Sequence, residues 1–144
     1  MTLDNKGYSL LELLLVLIIV AVISSFALIM NNRYVEKHTF DLFYNQLILD
    51  SRHLQLTAMK EGKNITLLFD SGGTRYVGRK SFFESLFDRE LPPGYRLSKR
   101  SNLQELSFHP NGTIEKFGTL IFETPSGIKI IHVYIGKGRM TLEQ

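Results

Sequence analysis

The 144-residue sequence contains no cysteine. That absence removes disulfide staples, thiolate metal ligands and cysteine nucleophiles together, so any folded part must hold through its packed core and its neighbours. Only four prolines occur, none of them before Pro92, and nothing in the N-terminal part forces a helix to kink. No low-complexity tract or internal repeat is present. The signatures of catalysis are missing as well. His38, His53, His109 and His132 form neither a short-spaced pair nor a His-x-x-x-His helix face, which argues against a metal site. No Gly-x-Ser-x-Gly elbow surrounds a serine, and Gly136-Lys137-Gly138 lacks the length and the following hydroxyl of a phosphate loop. The expectation is a chain that is not an enzyme and carries no cofactor and no metal.

Charge is also scarce where it matters. Residues 13–30 contain no charged side chain and only Ser24 and Ser25 as clearly polar members. As a helix this run reaches roughly 27 Å, close to the hydrocarbon thickness of a bilayer. A chain of this length otherwise has room for one ordinary domain. Residues 31–144 mix apolar and charged side chains as a soluble domain does. The formal net charge is +3, and residues 31–144 carry about four more cations than anions, scattered along the chain. An excess so small does not by itself argue for nucleic-acid binding.

The N-terminus inverts the order of a secretory signal, in which a small-residue cleavage site follows a short apolar core. Here Gly7 precedes the apolar run and follows Lys6, while Asn31-Asn32-Arg33-Tyr34 after the run offers no Ala-x-Ala site. The apolar segment is therefore expected to stay attached. Hydropathy alone describes an ordinary signal anchor, but Glu12 does not fit one. A carboxylate within an apolar helix costs about 2.5 to 3.5 kcal/mol on insertion scales unless it finds a partner.

The ordered string Lys6-Gly7-Tyr8-Ser9-Leu10-Leu11-Glu12 resembles the type IV prepilin cleavage motif. The resemblance implies a short hydrophilic leader, cleavage between Gly7 and Tyr8 by a membrane-embedded prepilin peptidase, and methylation of the new amino terminus on Tyr8. It places Glu12 fifth in the mature chain, as the carboxylate that registers subunits during assembly. The physics agrees: glycine presents an unobstructed backbone at a scissile bond, and a fresh ammonium on an incoming subunit would neutralise Glu12 of one already assembled. Tyr8 stands where the family usually has phenylalanine. Ile29 stands near the kink-forming proline of many major pilins, so the helix should be straighter, which favours a minor subunit.

Beyond Arg33, Phe40, Phe43, Tyr44, Leu47, Leu54 and Ala58 recur at helical spacing. No glycine or proline interrupts residues 8–61, so one continuous helix of roughly 80 Å is expected, stopping at Gly62. The rest reads as strands at residues 65–69, 74–77, 103–108, 119–123 and 128–135, separated by turns at Ser71-Gly72-Gly73, Pro110-Asn111-Gly112 and Pro125-Ser126-Gly127. Residues 81–88 read as a short helix or an irregular connection. The fold class is α+β and pilin-like: a long N-terminal helix packed on a C-terminal antiparallel β-sheet domain. Its expected parts are a leader at residues 1–7, a transmembrane or filament-core half at 8–30, an amphipathic half at 31–62 and an ectodomain at 63–144.

The turn at Phe108-His109-Pro110-Asn111-Gly112, with Ile135-Gly136-Lys137-Gly138-Arg139, also resembles minor pseudopilins of the competence ComGD class and of the type II secretion H class. The resemblance implies a minor pseudopilin of a competence pilus, acting in DNA uptake through filament assembly. Its implied partners are other major and minor pseudopilins and the prepilin peptidase, and indirectly an assembly ATPase and a polytopic membrane platform. It also implies a single-pass protein of the cell membrane whose ectodomain reaches the cell surface in the filament. A type II secretion or type IV pilus subunit is the alternative, and a bitopic membrane enzyme or receptor with a chance prepilin-like anchor is the second. Arg75, Arg79, Lys80, Arg96, Lys99 and Arg100, joined by Arg89 and interleaved with Tyr76, Phe82, Phe83 and Tyr95, suit direct contact with DNA phosphates. The competing reading, a solvated surface offset by Glu84, Asp88 and Glu90, is favoured by the modest charge excess.

Overall fold

The computed structural model describes residues 10–143, giving the helical path but not the side chains of residues 26–35. With no proline or glycine to break it, the first element is one helix, α1, over Leu10–Glu61. It ends where expected: Gly62 takes φ of 65°, and the Gly62 and Lys63 amides both donate to the Ala58 carbonyl. Only a residue without a Cβ enters that conformation cheaply, so Gly62 closes the helix.

The chain divides into a unit ending at Lys37 and a unit beginning at His38. In the first, the described large apolar side chains are exposed, from 49% at Ile19 to 82% at Leu10. The Ser24 and Ser25 hydroxyls donate to the carbonyls of Val20 and Ala21, each at 2.8 Å, so neither needs an outside partner.

The second unit contains residues 38–61 of α1 and eight strands in two antiparallel sheets. The strands are β1 (Ile65–Phe69), β2 (Arg75–Arg79), β3 (Ser85–Glu90), β4 (Arg96–Leu97), β5 (Glu105–Phe108), β6 (Gly118–Thr124), β7 (Gly127–Val133) and β8 (Met140–Leu142). One sheet runs β3-β2-β1-β5 and the other β4-β6-β7-β8. Alternation sets the inward faces: Ile65, Leu67 and Phe69 of β1, and Leu120 and Phe122 of β6, are buried. Against them lies the expected helix face of Phe40, Phe43, Leu47, Leu54 and Ala58, with Tyr44 half-buried beside it. Phe122 joins all three layers, meeting Phe43 of α1 edge-on at 5.2 Å and Phe69 of β1 at 5.9 Å.

Residues 81–88 differ from the expectation. They form a hairpin turn followed by β3, which pairs with β2 through a bulge at Gly78 and Arg79. The Lys80 amide closes the turn onto the Glu84 carbonyl at 2.9 Å, leaving Phe82 and Phe83 at its exposed tip. A side chain on Gly78 would collide with Phe87 and Leu54, so this glycine lets β3 fold back over the helix. The short strands β4 and β8 and the division into two sheets were likewise unforeseen.

The two sheets meet at Gly73, whose carbonyl accepts from the Leu97 amide at 2.7 Å. A Cβ there would strike the Leu97 backbone, and φ is 69°. Gly127 also has positive φ, 124°, but open space around it. Gly73→Ala is therefore expected to lower the urea midpoint of the full-length protein clearly more than Gly127→Ala. Leu54→Ala, which empties a fully buried site, is expected to cost about 3 kcal/mol in the same measurement.

Candidate functional site

Glu12 lies in the first turn of α1 and is exposed. Its apolar neighbours are exposed too, and among the described residues no cation stands beside it. Gly7 and Tyr8, the expected processing residues, lie outside the described residues. Among the described residues no helix is long and apolar enough to cross a membrane. The apolar run continues through positions 26–30, whose side chains are likewise outside the description.

The basic side chains of the central segment separate into distinct settings. Arg75 is held by Asp88 in a two-pronged ion pair across β2 and β3. Lys80 reaches Glu61 at 2.5 Å and Glu84 at 3.3 Å, tying the β2–β3 hairpin to the end of α1. Arg96 meets Glu123 across β4 and β6, with Nε 2.6 Å from Oε2. Arg96, Lys99 and Arg100 line a hollow that also contains Asp70 and Glu123, whereas Arg79 and Lys80 line another with Asn64 and Phe82. The fold therefore does not gather the six cations into one basin. Tyr76 and Tyr95 are in the core, so of the four interleaved aromatics only Phe82 and Phe83 present faces to solvent.

These pairings leave a mark on titration. Hydrogen bonding to Asp88 raises Arg75, and bonding to Glu61 raises Lys80. The Ser98 hydroxyl, followed by the Arg96 guanidinium, holds the Glu123 carboxyl below its ordinary value.

Arg89 has a different role from the other cations. Its Nε and Nη2 donate to Oδ2 and Oδ1 of Asp50 at 2.7 and 3.2 Å, and the Tyr76 hydroxyl donates to Oδ2 at 2.7 Å. The Gln46 amide adds a bond to Oδ1 at 2.9 Å. Asp50 is buried on α1, so this cluster clamps the helix to β2 and β3. Burial, then the bond to Asp50, pushes the Tyr76 hydroxyl well above its ordinary value, and Asp50 raises Arg89. Asp50 lies on the helical stripe between Leu47 and Leu54, and a polar break in an apolar face is the sequence signal that marks it. The histidines are dispersed, and no group of acidic or histidine side chains among the described residues is arranged to hold a metal.

The prokaryotic N-terminal methylation motif matches residues 3–28, covering Gly7, Tyr8 and Glu12. No curated protein matches the sequence. The fold is similar to the type IV minor pilin FimU of Pseudomonas aeruginosa strain PAO1 in two crystal forms. In space group P21 the TM-score is 0.60 at 14% identity, covering 77% of this chain and 92% of that one. In space group P65 it is 0.53 at 16% identity, covering 69% and 89%. The long helix on antiparallel sheets is thus a type IV pilin-like fold, and the N-terminal methylation motif lies at the start of that helix's sequence.

Two measurements probe the geometry. Asp50→Ala strands a buried tyrosine hydroxyl and an arginine, and is expected to cost about 3 kcal/mol in chemical denaturation, against less for Asp50→Asn. Glu123 has a folded-state pKa below its ordinary value of 4.5. It therefore stabilises the fold above that pH, and the contribution is lost as pH falls through the lower folded value. Glu123→Gln should flatten the acid limb of a stability–pH curve and leave the alkaline limb unchanged.

Proposed function

We propose that this chain is a minor pseudopilin of a competence pilus, serving DNA uptake as a subunit of the filament. One coincidence carries the reading: an N-terminal methylation motif on a pilin fold whose helix leaves its first apolar stretch uncovered. The leader of residues 1–7 is removed between Gly7 and Tyr8 by a prepilin peptidase, and the Tyr8 amine is methylated. Residues 8–30 hold the subunit in the cell membrane as a single pass with the ectodomain outside. Extraction into the filament then exchanges lipid for the helices of other pseudopilins, driven by an assembly ATPase acting through a polytopic membrane platform.

Glu12 sets the register of that exchange. An uncompensated carboxylate in an apolar surrounding is costly, and the ammonium of a neighbouring subunit is the partner that assembly brings to it. Direct contact with DNA is a separate matter. Arg75, Lys80 and Arg96 already face carboxylates, so Arg79, Lys99 and Arg100 are the cations left for a phosphate. A second reading, a minor pilin of a type IV pilus, is favoured by the likeness to FimU, and a type II secretion subunit shares its chemistry.

Deletion of the chain is expected to abolish transformation while leaving twitching motility and protein secretion unchanged; the reverse pattern selects the second reading. Mass spectrometry of the mature protein should find a methylated tyrosine at its amino terminus. Recovery of polypeptide still beginning at Met1 from peptidase-proficient cells overturns the pseudopilin reading altogether. Glu12→Ala is expected to be processed normally yet to fall at least about tenfold in sheared filament fractions.

A further inference from the structure

A cavity of about 300 Å³ opens between α1, β5 and the segment leading into β8. Ile48, Phe108 and Met140 supply its apolar lining. Ser51, only 4% exposed, also lines it, and its Oγ has no hydrogen-bond partner among the described residues. Buried hydroxyls are nearly always paired, and a helical serine can usually return its proton to the carbonyl four residues back. Ser51 does not, although Ser24, Ser25 and Thr57 on the same helix do.

The rim has one sign of charge. Arg52 of α1 and Lys137 and Arg139 of the segment before β8 border the opening, and no acidic residue lines it. Among the described residues none of the three forms an ion pair, in contrast to Arg75, Lys80, Arg89, Arg96 and Lys116. Arg139 instead has its guanidinium 5.0 Å from the Tyr134 ring centroid. The wall is fixed rather than loose: the Gln55 amide donates to the carbonyls of Gly112 at 2.5 Å and Lys137 at 3.1 Å, and the Tyr44 hydroxyl donates to the Met140 carbonyl.

We propose that this cavity is a binding site for an organic carboxylate, a single negative head on a short apolar body. The body fills the space over Ile48, Phe108 and Met140, and the carboxylate meets the rim cations. Arg52 and Arg139 present the planar donor forks that suit a carboxylate. A multiply charged phosphate fits less well, because most of the lining is apolar and would leave its further oxygens unsatisfied. The site does not depend on the filament role: it lies wholly within residues 48–140.

The test is protein-observed NMR on the full-length chain in a nonionic maltoside detergent, following the amides of Ser51 and Gly138. Saturable shifts are expected with hexanoate and with the peptide acetyl-Gly-Gly-Leu bearing a free carboxyl terminus. Arg139→Gln or Lys137→Gln should each weaken binding about tenfold, with the remaining amide spectrum unchanged. The charge variants lie on an exposed rim and preserve the core, so their folding can be read in the same spectra. Tighter binding of the peptide assigns the occupant to a polypeptide chain end, and tighter binding of hexanoate to a free small acid; both uphold the carboxylate. Equal binding of hexanol, equal binding of inorganic phosphate, or no saturable shift at all overturns the proposal.

Discussion

From Leu10 to Ile23 the large apolar side chains of α1 face outward, whereas from Phe40 onward Phe40, Phe43, Leu47, Leu54 and Ala58 form a buried stripe, with Leu42, Leu49, Leu56 and Met59 left on the outer side. No single surrounding suits both surfaces. The buried stripe is satisfied within the chain by two sheets, and the outward one has no cover among the described residues. A helix apolar on all sides belongs in a buried setting, a protein core or lipid. That constraint explains why Ser24 and Ser25 turn their hydroxyls back onto the helix backbone. It also makes Glu12 conspicuous, since it is the one described group on that surface that the helix itself cannot satisfy.

The same division governs how much of the fold was legible in the sequence. The helix could be read because its signals are local and repeated: no proline or glycine before Gly62, and apolar residues at helical spacing over several turns. Strands β1, β5, β6 and β7 could be read because alternation or a continuous apolar run marks them between glycine turns. Strand β3 could not. It is an edge strand whose half-buried members, Leu86 and Phe87, are adjacent rather than alternating, so it carries no period-two signal. The two residues of β4 are too few for any period. The separation into two sheets depends on β1 pairing with β5, a contact across some forty residues of sequence that no local pattern encodes.

The candidate site was legible in its first part and opaque in its second. A carboxylate in an apolar run is visible as an anomaly, and Glu12 is one. Asp50 is the same kind of anomaly in an amphipathic stripe, and its answer lies in Tyr76 and Arg89, which the fold brings to it from β2 and β3. The cations show the reverse limitation. A list of basic residues close in sequence suggests a patch, but strand pairing places Arg75 against Asp88 and Arg96 against Glu123. Exposed pairs of that kind contribute little to stability, yet they consume the charge a polyanion would need.

The charges left over are therefore more informative than the charges present. A chain shaped only by folding would have little reason to keep a buried hydroxyl unpaired beside three cations that repel one another. Leaving such a hydroxyl unsatisfied costs about 1 to 3 kcal/mol, and a small apolar residue at position 51 would remove that cost. The fold elsewhere shows that it pairs its polar groups: four hydrogen bonds converge on Asp50, and the Asp70 carboxylate accepts from the Thr74 and Arg75 amides. Local rules broken without compensation tend to mark positions where a ligand or partner completes the set. By that reasoning Glu12 and Ser51 are positions of one kind, each a polar group in an apolar setting with no partner among the described residues.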